Sequence, residues 1–392
     1  MNNSVISDAF RIEPNGIVAA LLASFTAMLG LMPVAILPLF VGTLVDALGI
    51  SGEMAGVVVS VNLLGNALGV LLVSVLLGAL TLRQFVVLGV SLELVVEVLS
   101  LTMDLHLPGL LTMRLFAGIG GGLVTGAAFN WMAKRTAPDR GFGLLYAYQF
   151  FLSALLLYLL PQWITECGVS AFYGLFIVTA LVSLCCCFVL TPTKAIVSGE
   201  LESKLELDKK AIGLTMISIA LFEIAASGIW AFIERMGLEW NFAPEHIGAA
   251  LSIGALAGIP GALLVVLLGA RWGRSKPIFC GVAFCVIGLA GLLTGFQTFW
   301  LYTLALLIFN GAWSFTIPYV QGVQAQLDPT GRVAVIGLFV VLLAIAAGPF
   351  IFGFLIGDQG YSAAIVFACL LLSGCLVFVF GVARAQEEFV PS

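Results

Sequence analysis

The chain has 392 residues, of which 61% are hydrophobic and only 9% charged, and its mean hydropathy is +1.16. That balance excludes a soluble globule, which could not cover its surface with polar groups, and predicts an all-α integral membrane protein crossing the bilayer many times. The net charge of -5 comes without a long basic run, so no nucleic-acid partner is expected.

Apolar runs between charged or Gly/Pro-rich breaks number twelve, over approximately 17–42, 54–78, 85–103, 109–132, 142–163, 169–190, 211–234, 247–269, 277–296, 299–322, 333–356 and 362–383. The first, from Ile17 to Val45, is too long for the apolar core of a signal peptide and lacks a small-residue cleavage site, so it reads as a span. Basic residues collect in cytoplasmic loops. With both termini inside, 14 of the 16 Lys and Arg fall on the cytoplasmic side, the exceptions being Arg114 within a span and Arg235 at an outer edge.

Span 1 is nearly mute, with Ser24, Thr26 and Met28, expected kinks at Pro33 and Pro38, and no acid before Asp46. Span 2 places Asn62 and Asn66 at i and i+4 beside Gly65 and Gly69. In span 3, Glu93 and Glu97 are also i and i+4, and two neighbouring carboxylates in a low dielectric cannot both ionise cheaply.

Span 4 carries Arg114 as its single charge, followed by Gly118, Gly120, Gly121 and Gly122, which let a neighbouring helix approach closely. A charge in a span costs on the order of 3 kcal/mol at its centre, so Arg114 is expected to face a partner or a watery cavity. Counting from the outer boundary, Glu97 lies roughly 10 Å deep and Arg114 roughly 7 Å, which allows an ion pair between them. That pair serves either transport or merely the tying of two helices. Span 5 puts Tyr146, Gln149 and Ser153 on one stripe at i, i+3 and i+7.

Span 7 is the richest. Glu223, Ser227, Trp230 and Glu234 fall on one stripe, and Ala225-Ala226-Ser227-Gly228 reads as a weak, breakable turn. Glu223 sits roughly 18 Å from the inner end, near the midplane, where a carboxyl group can carry a proton reversibly or simply bond a neighbouring helix. Span 10 offers Asn310, Trp313 and Thr316, then Tyr319, Gln321 and Gln324 past an expected kink at Pro318. An aromatic wall with a few directional amides suits a small-molecule pocket, although each such residue is equally a candidate for helix packing.

His106 and His246 fall in outer loops, and seven of the eight cysteines lie in apolar runs, with Cys167 in a loop. No metal site, cofactor or disulfide framework is read from them. No phosphate loop, His-Glu-x-x-His or Gly-x-Ser-x-Gly is present, which gives no support to an enzyme.

The charged stretch 191–210 separates two sets of six spans, giving an N-terminal bundle over 1–190, a cytoplasmic linker, and a C-terminal bundle over 211–392. Features recur about 190 residues apart across it. The loop Gly78 to Arg83 matches Gly269 to Arg274, and the turn Pro138-Asp139-Arg140-Gly141 matches Asp328 to Arg332.

The run Arg114-Leu-Phe-Ala-Gly118-Ile-Gly120-Gly121 resembles the fourth-helix motif of the major facilitator superfamily, with Ala117 where that motif has glutamine. The loop after span 2 is similar to the family's Gly-x-x-x-Asp-Arg-x-Gly-Arg loop only at Gly78 and Arg83. Its second-half counterpart keeps Arg271, Gly273 and Arg274 but has Ala270 in place of the aspartate. Span 5 lacks the Gly-Pro signature of the family's drug/proton antiporters.

The resemblance implies two pseudo-symmetric six-helix bundles that open a midplane site to one side at a time, with the cavity lined mainly by helices 1, 4, 7 and 10. On that basis Glu223, Arg114, Glu97 and Glu93 are the expected proton-coupling and charge network. Asn62, Asn66, Tyr146, Gln149, Ser227, Trp230, Asn310 and Trp313 are the expected cavity residues. The implied protein is a monomeric secondary transporter of a small organic solute, coupled to protons, in a bacterial inner membrane. A drug or metabolite efflux antiporter is the alternative, followed by a non-transporting sensor or enzyme on the same scaffold.

Overall fold

The computed structural model describes residues 16–76, 79–103, 106–133, 138–189, 208–269, 271–294, 298–327 and 332–388. Most of the linker expected over 191–210, and the turn at 328–331, lie outside these residues. The rest is helix, because a chain so apolar can satisfy its backbone groups in a bilayer only by bonding them within each segment. In order these are α1 (Ile17–Ala35), α2 (Leu37–Leu48), α3 (Gly52–Leu76), α4 (Leu82–Thr102), α5 (Leu107–Ala133), α6 (Pro138–Cys167) and α7 (Ser170–Val189). Then follow α8 (Lys209–Glu239), α9 (Pro244–Leu256), α10 (Gly258–Leu268), α11 (Ser275–Gly291), α12 (Phe299–Leu327) and α13 (Arg332–Glu388).

Twelve spans result among the described residues. Helices α1 and α2 form span 1, broken at Ile36 (φ -114°, ψ 21°) between Pro33 and Pro38, as the two prolines predict. Span 8 is α9 plus α10, which follow one another through Ala257 (φ -63°, ψ -20°), three residues before Pro260. Spans 11 and 12 are the two arms of α13, reversed at Gly360, whose φ of 80° and ψ of 177° suit only a residue without a side chain.

Two expectations change. The turn Ala225 to Gly228 is unbroken helix within α8, because Ser227 Oγ donates to the Glu223 carbonyl at 2.7 Å and the ring of Phe352 packs directly against Gly228. Pro138 opens α6 rather than a separate turn, where its missing N–H goes unneeded.

Contacts divide the chain into two compact units. The first is drawn from Met1–Ala35, Val61–Leu152 and Glu166–Gly199. Its core joins alanines of α1 to Phe85, Val86 and Val90 of α4 and to Val124, Ala127, Trp131 and Met132 of α5. Helix α5 is its hub, and its glycines serve three neighbouring helices. A side chain at Gly118 or Gly122 would strike the α3 backbone at Asn62 and Asn66, one at Gly120 the backbone of Gly89 in α4, and one at Gly121 the backbone of Gly30 in α1. Helix α4 is started by Thr81, whose side chain accepts from the Gln84 amide while Gln84 returns a bond to the Thr81 amide. Arg83 then reaches the Phe188 carbonyl at the end of α7.

The second unit is drawn from Ile36–Ser60, Ser153–Thr165 and Glu200–Ser392. It therefore takes in α2, the first part of α3 and the last part of α6 together with all of α8 to α13. Small residues again set the close approaches: Gly56 of α3 meets the Pro349 backbone in α13, and Gly248 of α9 meets Leu157 of α6. At the opposite end, Glu387 folds back onto the turn before α11. Its carboxylate accepts from the amides of Arg274 at 2.5 Å and Ser275 at 2.7 Å and from Ser275 Oγ at 2.8 Å. Gly273 (φ 71°) lets it approach, so an acid from α13 bonds the first amides of α11.

Candidate functional site

Polar groups inside the helices collect at three places. In the first unit, Arg114 of α5 is 1% exposed and Glu97 of α4 wholly buried. The guanidinium grips the carboxylate with two bonds, Nη1 to Oε1 at 2.8 Å and Nη2 to Oε2 at 3.0 Å. Nη2 also donates to Ser100 Oγ at 3.0 Å, and the Tyr173 ring of α7 lies 5.3 Å away as a cation–π partner. This two-pronged geometry is the strongest arrangement available to a buried arginine. The depth match between Glu97 and Arg114 thus places them in contact. Ser100 belongs to the same stripe as Glu93 and Glu97, at i+7, and that spacing could have found it. Glu93 is also buried, but its Oε2 has no hydrogen-bond partner among the described residues.

The amides of α3 each bond a neighbouring helix through one nitrogen. Asn62 Nδ2 donates to the Arg114 carbonyl at 2.9 Å and Asn66 Nδ2 to the Gly30 carbonyl at 2.8 Å. Together with the glycine contacts they lock α3, α5 and α1 around the arginine. Gly118→Ala, whose new methyl would overlap the Asn62 carbonyl, is expected to cost about 1–3 kcal/mol, read as a lower unfolding temperature in detergent. Of the span 5 residues, Tyr146 is exposed, Gln149 half-buried and Ser153 buried.

In the second unit, Glu223 of α8 is buried and bonds to Trp313 of α12. An indole only donates, so the Trp313 N–H points at the carboxyl oxygen. No Lys or Arg forms an ion pair with Glu223 among the described residues. Its stripe mates differ in role: Ser227 turns back to its own helix and packs on Gly348, while Trp230 and Trp313 keep part of their surface open. Asn310 donates to the Leu306 carbonyl of its own helix at 3.0 Å, and Gln324 joins α12 to the Thr215 carbonyl of α8 at 3.3 Å.

The third place was not anticipated. Arg235 of α8 holds Asp46 of α2 with two bonds, Nη1 to Oδ1 at 2.8 Å and Nη2 to Oδ2, and Nη2 also donates to the Gly42 carbonyl at 2.6 Å. Glu234, next in the chain, lies 3.2 Å from Arg235 Nε. The signal available in the sequence was that Asp46 and Arg235 fall at the same end of spans 1 and 7, though 189 residues apart.

Comparison with known proteins bears on this arrangement. The family model described as Major Facilitator Superfamily matches residues 18–213, half of the chain. The chain belongs to the major facilitator superfamily. No curated protein matches the sequence. Solved structures of the same fold include a D-xylose-proton symporter (TM-score 0.75, 14% identity, covering 95% of this chain and 97% of that one). The inward-open xylose transporter XylE from E. coli follows at TM-score 0.72 with 15% identity and 95% of each chain. The nucleoside transporter NupG, solved in a mutant form, gives 0.69 with 13% identity, 95% of this chain and 100% of that one. The fold is therefore that of the superfamily over 95% of the chain, and the chain is a multi-pass membrane protein of that family.

Proposed function

We propose that this chain is a secondary active transporter that moves a small organic solute by alternating access and couples the movement to protons. The observation that carries the proposal is Glu223, a carboxyl group buried in span 7 whose hydrogen bond comes from a neutral indole on span 10 rather than from a cation. Such a group stays neutral only by holding a proton and ionises only when water or a cation reaches it, which is what a coupling site requires. The Trp313 ring keeps part of its surface open, so loading of the proton on Glu223 and binding of the solute would be felt through the same indole.

In this reading the halves 1–190 and 211–392, joined by the linker 191–210, are the moving bodies, and both termini are cytoplasmic in a bacterial inner membrane. The packing of α2 on α8 and of the start of α3 on α13 then lies on the outer side and describes an entrance that is shut. Arg114 and Glu97 brace the first half, with Glu93 in reserve. A polar solute is favoured over a greasy drug, because the solved structures named above include proteins described as xylose and nucleoside transporters and span 5 lacks the antiporter signature.

Purified protein in liposomes, offered a panel of labelled sugars, nucleosides and other metabolites, should accumulate at least one of them when the outside is made acidic. Collapsing the gradient with a protonophore should reduce the uptake to equilibration. Uptake indifferent to the gradient would remove the proton from the proposal, and no uptake of any compound in either direction would remove transport.

A further inference from the structure

The contact between α2 and α8 holds more than a single ion pair. Arg235 spends both terminal nitrogens on α2, on the Asp46 carboxylate and on the Gly42 carbonyl. Its remaining nitrogen, Nε, lies 3.2 Å from Glu234 Oε2, yet neither atom makes a well-aligned hydrogen bond among the described residues. Glu234 is nine-tenths buried and rests on Gly42, where any side chain would drive into its carboxylate. One arginine therefore has two acids within reach, Asp46 held by two hydrogen bonds and Glu234 only by a misaligned ion pair through Nε. Asp46 belongs to the helix that must withdraw for this end to open, and Glu234 to the arginine's own helix.

The geometry points to a partner-exchange latch: Arg235 clamps α2 through Asp46 and Gly42 while this end is closed, and falls back onto Glu234 when α2 withdraws. The physical reason for the second acid is the cost of opening. A guanidinium cannot discard its charge, so breaking the Asp46 bonds at a half-buried site without a replacement partner would penalise the open state. With Glu234 already at hand, a small rotation of the side chain completes the second pair, and the two states stay near enough in free energy to interconvert. Gly42 is the third part of the device, because it alone gives Glu234 room beside α2 while the latch is shut. The inference rests on the alternating-access reading and adds to it the residues that hold one gate.

The test is a distance measurement between spin labels at Ala47→Cys and Ala243→Cys, two exposed sites flanking the latch, in full-length protein from which the exposed native cysteines Cys167, Cys185 and Cys280 have been replaced. The background protein should show a short and a long distance whose ratio responds to pH or to a transported solute. A single distance under all conditions would remove alternating access itself and leave the latch without a motion to govern. If the background responds, Asp46→Ala should shift the ratio toward the long distance by about fivefold, the upper range for a partly exposed ion pair. Gly42→Leu should lose the short distance altogether, since the side chain cannot share its site with Glu234. Glu234→Gln should do the opposite, keeping the short distance dominant and slowing transport, because the open state then strands Arg235. The latch is overturned if Asp46→Ala and Gly42→Leu leave the ratio unchanged, or if Glu234→Gln opens this end as Asp46→Ala does. Each variant is first checked for a monodisperse, cooperative unfolding profile, and Gly42→Ala replaces Gly42→Leu if the larger side chain fails that check.

Discussion

Glu223→Gln is expected to abolish solute accumulation driven by a pH gradient while leaving exchange of labelled for unlabelled solute measurable. The amide has the same shape as the carboxyl group and still offers an oxygen to the Trp313 indole, so the bond between α8 and α12 survives. Stability in detergent should therefore change by about 1 kcal/mol at most. What the amide cannot do is release and rebind a proton. Exchange needs only that the loaded carrier change its exposure, whereas net uphill movement needs the proton to leave on the far side. The paired assays in liposomes separate the two steps, and undiminished gradient-driven accumulation in the mutant would remove Glu223 from the coupling role. Trp313→Phe gives the companion result: it keeps the aromatic surface, removes the donor, and should alter the pH at which coupled uptake is half-maximal while accumulation persists.

Glu97→Ala should destabilise the protein more than Arg114→Ala, by on the order of 1 kcal/mol or more, with the larger loss about 3–5 kcal/mol. The pair is completely enclosed and doubly bonded, so water cannot replace either partner. Their fates on losing a partner differ. A stranded carboxyl group takes up a proton and becomes a neutral donor that can bond Ser100, but a stranded guanidinium keeps its charge at any accessible pH. Glu93, one helical turn from Glu97 with a free oxygen, is the group best placed to rescue the arginine. The double mutant Glu93→Gln with Glu97→Ala should accordingly fall below Glu97→Ala alone by more than Glu93→Gln costs by itself. Unfolding curves of the four variants in detergent decide the matter. Equal stability of Glu97→Ala, Arg114→Ala and the unmodified protein would mean that the pair contributes nothing to the fold, and strict additivity would exclude the rescue.

Much of this architecture is written in local pattern. Each span declares itself by length and apolar content, because a bilayer leaves the backbone no partner except its own segment. The kink in span 1 was legible from Pro33 and Pro38, since proline acts through its own covalent geometry. The contact of Arg114 with Glu97 was legible too, because adjacent antiparallel helices joined by a short loop let depth be counted from a shared boundary. The turn at Ala225 to Gly228 shows where such reading stops. Ser227 and Gly228, both of lower helix preference than the alanines before them, are packed by Gly348 and Phe352, more than 100 residues away, and propensity carries no information about those contacts.

The sequence by itself determined the class of the molecule, its twelve spans and the polar residues each span carries. These follow from composition and from the 3.6-residue repeat, which act within a few turns of helix. Only the tertiary structure decided which polar residue meets which. Asn62, Asn66 and Asn310 are expected in the cavity, and which carbonyl each amide bonds was set by packing, because a buried donor must find an acceptor whatever its role. Glu387 reaching the turn at Gly273 and Arg235 reaching Asp46 join segments 112 or more residues apart, and no periodicity connects them. Side-chain partners at that separation are set by how whole helices pack, and packing depends on the glycines of many helices at once, so the pairings emerge only when all the spans are in place.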